Sequence, residues 1–219
     1  MSDSEKGEGL VIELAERVKR GEIAPKKARE ELYAMGLHHS EYETKYLWQS
    51  LLFSLSGILL CFLPLIARLT QWEFIGFFAQ IPSIYIDPII IIIFMIFFLI
   101  LAVMGTHAAI LRRTRGGTKD GDEPIIHIRK GPYELMRHPT TGMLGLFLAW
   151  ITTCFSGFIP FTILSIIGNI LFFIAIYYAT KGEEEFNVIK WGQQYKQFQK
   201  EVPRFNFLLG IIKWILRKF

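Results

Sequence analysis

Gly131-Pro132-Tyr133-Glu134-Leu135-Met136-Arg137-His138-Pro139 separates a basic polar loop from a long apolar run. Pro139 suits the first position of a helix, because its missing N–H has no intrahelical partner there. The helix that it opens turns its free backbone N–H groups, and the positive end of its dipole, back toward Arg137 and His138. That end favours an anionic ligand group. A charged pair at the mouth of an apolar helix marks the boundary between water and lipid. This stretch therefore sets the membrane register of the chain around it.

Composition agrees. The chain has 219 residues, 52% of them hydrophobic, with a net charge of +4 and a mean hydropathy of +0.34. A soluble domain runs at about 45–50% apolar, with less clustering. The long apolar blocks predict an all-α, polytopic membrane helix bundle. The charge is spread between loops, so no nucleic-acid partner is expected. Cys61 and Cys154 lie inside apolar blocks and read as packing residues. They make no metal pattern and no disulfide framework.

On the N-terminal side, the loop holds Arg112, Arg113, Arg115, Lys119, Arg129, Lys130 and Arg137, with Gly116-Gly117 and Asp120-Gly121 loosening its first half. It follows an apolar run over about 87–111, opened by Asp87-Pro88 as cap and first turn. Before that, Thr70 to Ile86 carries no Lys or Arg and is rich in aromatics, as an interfacial segment is. A first span is predicted at about 47–69. Residues 1–46 form a separate polar region. Leu10, Val11, Leu14 and Val18 recur at helical spacing up to Gly21, and Pro25 opens a second short helix that Gly36 can end. The pair reads as a solvated helical hairpin on the cytoplasmic side. Ser40 with Glu43 makes a capping box for a further helix. No basic-then-apolar signal segment opens the chain.

On the C-terminal side, spans at about 139–155 and 158–180 make an antiparallel hairpin, followed by eight basic residues between Lys181 and Lys218. Basic residues collect on the cytoplasmic side. That orients a four-span domain, residues 47–219, as a multi-pass protein with both termini and the 112–137 loop in the cytoplasm. Packed helices sit about 8–10 Å apart. The hairpin should therefore bring His138 near Lys181, Glu183, Glu184 and Glu185. Beyond them Val188, Trp191, Tyr195, Phe198 and Val202 form an apolar helical stripe that can cover a site, with Gln193, Lys196, Gln197 and Lys200 off it. Phe207 to Phe219 is too short to span and reads as a helix lying in the interface.

Gly131-Pro132-Tyr133, Arg137-His138-Pro139, Glu183-Glu184, Trp191-Gly192, Tyr195 and Val202-Pro203-Arg204 follow one order and spacing over about the last 100 residues. In this they resemble the integral-membrane methyltransferases typified by isoprenylcysteine carboxyl methyltransferase, with the phospholipid methyltransferases as relatives. The resemblance implies S-adenosylmethionine as cofactor, bound on the cytoplasmic side, and membrane lipid as the surroundings. It implies a lipophilic small-molecule or lipidated acceptor that enters from the bilayer, a prenylcysteine-type carboxylate being the family's model. It implies that the backbone of Ile125, Ile126, His127 and Ile128 lines the cofactor and that Tyr133, His138, Pro139, Thr140 and Thr141 contact it. Glu183 would hold a polar part of it. Lys181 and Glu184 stand for the catalytic side. No metal is implied.

The chain also departs from the family. Thr141 stands where a tyrosine is usual, and Ala179 where the acceptor-side arginine is usual, with Lys181 the nearest cation. Two other readings follow. One is a non-catalytic membrane scaffold of the same fold. The other is a sterol-type, NADPH-dependent membrane reductase, which shares an Arg-His-Pro element.

Overall fold

A computed structural model describes residues 3–37, 44–116 and 124–218. Among them the chain is helical, with eight α-helices and no strand. The helices are α1 (Asp3–Lys19), α2 (Pro25–Ala34), α3 (Leu47–Thr70), α4 (Gly76–Ala79), α5 (Pro88–Arg115), α6 (Pro139–Cys154), α7 (Ile163–Glu201) and α8 (Phe207–Lys218). The expected Ser40–Glu43 capping box, and Gly117, Lys119 and Asp120-Gly121 of the loop, fall outside the described residues.

Three helices, α3, α5 and α7, are long and apolar enough to cross a membrane. The Asp87 carboxylate accepts from the Ile89 amide at 2.8 Å, as the expected cap of α5. α6 has 16 residues, about 24 Å at 1.5 Å per residue, against a hydrocarbon core of about 30 Å. The last predicted span continues as one helix into the polar sequence up to Glu201. Nothing between Thr180 and Trp191 breaks it, since Gly182 alone is a weak interruption. The break comes at Gly192, with φ +46° and ψ −125°. This is backbone that a side chain strains and glycine does not.

The chain contacts divide into two compact units. One comprises residues 46–103 and 141–179. In it Asn169 of α7 donates to the Thr152 hydroxyl of α6 at 3.1 Å, so α6 and α7 are neighbours. α3 meets α7 at Gly57 and Gly168, where a Cβ on Gly57 would lie 2.6 Å from the Gly168 carbonyl oxygen. Only two facing glycines permit that approach. Ile89, Ile93 and Leu99 of α5 are exposed, an apolar face suited to lipid.

The other unit comprises residues 1–45, 104–140 and 180–219. Here the N-terminal hairpin, expected as a solvated pair, packs its apolar stripe away. Val11 and Leu14 of α1, with Ala28 and Leu32 of α2, share one core with Ile125, Trp191, Tyr195, Phe198 and Val202. The helical spacing marked that apolar face; the sequence alone did not say what would cover it. Gln193, Lys196, Gln197 and Lys200 point outward, as the stripe required. In α8, Trp214 donates to the Glu134 carboxylate at 2.7 Å and Arg217 to the Glu134 carbonyl at 2.8 Å.

Candidate functional site

The second unit holds a polar cluster beside a cleft. The loop before α6 lies alongside the segment after α7. The Arg137 amide donates to the Pro203 carbonyl at 3.0 Å, and the His138 amide to that of Arg204 at 3.3 Å. This backbone pairing sets both side chains of the Arg-His pair against the first polar turn of α7.

Glu184 is the hub. It is 3% exposed, and both of its oxygens are engaged. One lies 3.1 Å from His138 Nε2 and 3.0 Å from Arg137 Nε. The other pairs with the Arg204 guanidinium and, at 3.5 Å, with the Gln199 amide. Burial works against its charge, yet His138, Arg204 and Arg137 together hold the carboxyl below its usual range. Glu183, one residue earlier, faces His138 Nδ1 at 3.3 Å. Burial pulls the His138 ring toward its neutral form, but the two carboxylates outweigh it and raise its pKa to about 8. Near neutral pH the ring is thus an imidazolium donating from both nitrogens.

The cleft opens on the other side of Glu183. With the open space at its mouth counted in, it measures about 450 Å³; the room inside for the centre of a water-sized sphere is about 50 Å³. One wall is the loop segment with Ile126, His127 and Ile128; the facing wall is α7, with Asn187, Trp191 and Tyr195. Arg112, Tyr133, Arg137 and His138 complete its polar side. Two side chains of α7 hold the loop in place. Lys190, with no exposed surface, donates to the Pro124 carbonyl, and Trp191 donates to that of Ile125 at 3.3 Å. The Lys190 ammonium also lies over the Trp191 ring, 4.9 Å from its centre. Arg112 Nε and His127 Nε2, on the cleft, are buried with no hydrogen-bond partner among the described residues, as is Arg137 Nε apart from its ion pair with Glu184.

The expected site residues divide accordingly. Ile126, His127, Ile128, Tyr133, His138 and Glu183 line the cleft together. Ile125 is fully buried in the adjoining core. Pro139 opens α6, and the Thr140 hydroxyl donates to the Gly105 carbonyl at 3.2 Å. Neither lines the cleft, and Thr141 belongs to the other unit. Glu184 sits behind Glu183, and Lys181 lies on α7 outside the cleft lining. Arg112 and Asn187 were not anticipated. In sequence Arg112 is one of several loop cations and shares the last turn of α5 with Arg113 and Arg115; only its place on the cleft distinguishes it. No family model, no curated protein and no solved structure matches the chain.

Proposed function

We propose that this protein binds S-adenosylmethionine in the cleft beside Glu183 and transfers its methyl group to a lipophilic acceptor at the cytoplasmic membrane face. The observation that carries the reading is the convergence of His127, Tyr133, His138 and Glu183 on one space. His127, Tyr133 and His138 come from one stretch before α6 and Glu183 from the polar part of α7, far along the chain, and all four are residues the methyltransferase resemblance implicates.

The donor set fits the cofactor. Glu183 repels a carboxylate but suits an amino group or ribose hydroxyls. The Arg112 guanidinium, with a buried nitrogen to satisfy, and the His138 imidazolium supply the opposite charge for a carboxylate. Tyr133 and Tyr195 offer ring faces to a cation. When bound, the cofactor supplies an electrophilic methyl carbon on a positively charged sulfur. The rest is positioning by the chain. Buried Glu184 fixes Arg137 and His138, the Trp191 wall excludes water, and Lys181 orients an anionic acceptor. Alignment of the reacting atoms supplies much of the rate in such a transfer, and a water-poor site strengthens each charge in it.

In this reading α6 is a fourth crossing, completed by residues 155–160, and the basic residues keep both termini and the cleft in the cytoplasm. Titration of the detergent-solubilised full chain with S-adenosylhomocysteine, and separately with reduced nicotinamide cofactor, tests it. Saturable binding of the first alone supports methyl transfer. Binding of the nicotinamide instead supports the reductase, and binding of neither supports the scaffold.

A further inference from the structure

The lining of the cleft differs in chemistry along its length. Arg112, Arg137, His138 and Glu183 bring charge. Around His127 the surroundings are aromatic. Its ring stacks on Trp191 with centres 4.8 Å apart and planes 19° apart. It meets Phe198 edge-on at 4.9 Å and Tyr195 at 5.5 Å. Tyr195 stands between the two regions, since it also feels the charges of Glu184, Glu183 and Arg137. The lining thus suits a ligand with one charged end and one flat, uncharged end, the flat end toward His127.

His127 is not an ordinary packing residue. Its Nε2 is buried and has no hydrogen-bond partner among the described residues. Leaving such a group unsatisfied works against folding. Phenylalanine at this position would keep the stacking without that cost. The nitrogen is therefore a liability to the fold, of the kind tolerated where a ligand needs it. Burial, helped by Arg129, lowers the His127 pKa to about 4. The ring is thus neutral at physiological pH and can accept a hydrogen bond at one nitrogen while carrying a proton on the other.

We infer that His127 is a specificity-determining residue whose Nε2 accepts a hydrogen bond from the exocyclic amine of a purine lying in the aromatic part of the cleft. This rests on the methyl-donor reading and goes beyond it, by assigning recognition of the base to a side chain. The test compares S-adenosylhomocysteine with its analogue lacking the 6-amino group, on the full chain in detergent. The unmutated protein should prefer the amine. A hydrogen bond worth about 0.5–1.5 kcal/mol corresponds to a preference of about 2–12-fold. His127→Phe should abolish the preference by weakening the adenosyl compound alone.

A second measurement guards against a folding artefact. Without ligand, His127→Phe should melt no lower than the unmutated protein, because it removes an unsatisfied atom and keeps the ring. A clear drop would mean that Nε2 has a structural partner, and would overturn the inference. So would an undiminished preference for the amine in the variant, or no preference in the unmutated protein. Failure of the unmutated protein to bind S-adenosylhomocysteine at all would instead sink the methyl-donor reading, and this inference with it.

Discussion

His138 Nδ1 lies 3.3 Å from a carboxylate oxygen of Glu183, tying the loop before α6 to the polar part of α7. The pair has a pH signature. The folded value of about 8 lies above the ordinary 6.5, so the folded protein keeps a proton that the unfolded chain releases. The stability from this pairing is complete below about pH 6.5 and is lost as pH rises through about 8. Melting temperatures measured across that interval should fall, and the fall should be shallower in Glu183→Gln. An equal slope in both proteins would mean that another group titrates.

On the acid side the expectation reverses. His127 is held neutral, with its value lowered from 6.5 to about 4. The unfolded chain takes up a proton that the folded one refuses, so stability is lost as pH falls from about 6.5 toward 4. His127→Phe should flatten that limb, and a melting series in acetate and citrate buffers reads it.

Glu184 neutralises three buried or part-buried cations at once. Glu184→Ala removes the carboxylate shared by Arg137, His138 and Arg204, and breaking a buried pair in this way costs about 3–5 kcal/mol. The variant should unfold at markedly lower denaturant, whereas Lys45→Ala, which removes a surface partner of Glu185, should change stability by no more than about 1 kcal/mol. Similar midpoints for the two would remove Glu184 from the centre of the cluster.

The hairpin should support the cleft from behind. Leu32 is 1% exposed and shares a core with Trp191 and Tyr195. Leu32→Ala should cost about 2–5 kcal/mol and speed hydrogen exchange over residues 191–202. Tyr33→Ala, at a side chain that is 41% exposed, should stay within about 0.5 kcal/mol. If exchange over 191–202 is unchanged in Leu32→Ala, the hairpin does not brace that wall.

Topology is open to labelling. With Cys61 and Cys154 replaced, single cysteines at Tyr85, which is 81% exposed, and at exposed Lys130 should react from opposite sides of a sealed vesicle. Gly116 is a poor choice, because a Cβ there would meet the Arg112 carbonyl at 2.3 Å. Labelling of both positions from one side would refute the crossing order argued from the basic residues.

Much of this was legible in the residues. Asp87-Pro88 and Pro139 mark helix starts by local chemistry, and the stripe through Trp191 and Phe198 announces a buried face. The meeting of His138 with Glu183 followed from two helices joined by a short link. What the sequence withheld is non-local. Nothing in Val11 or Leu32 names the residues that cover them. Glu184 looks like its neighbour Glu183 until the return of Arg204 makes one a buried hub and leaves the other on the cleft. The loss of any break between Thr180 and Trp191 was hidden because charged residues form helix as readily as apolar ones.

The shared core of hairpin and C-terminal stripe also has a consequence in time. Leu32 is made about 160 residues before Trp191 and Tyr195. At about 5–20 residues per second, that is a delay of roughly 8–30 s. Throughout it, the apolar faces of α1 and α2 lack the Trp191, Tyr195, Phe198 and Val202 side chains that complete their core. A nascent chain stalled or cut before Trp191 presents the same bare faces, a mark by which quality control can tell unfinished copies from finished ones.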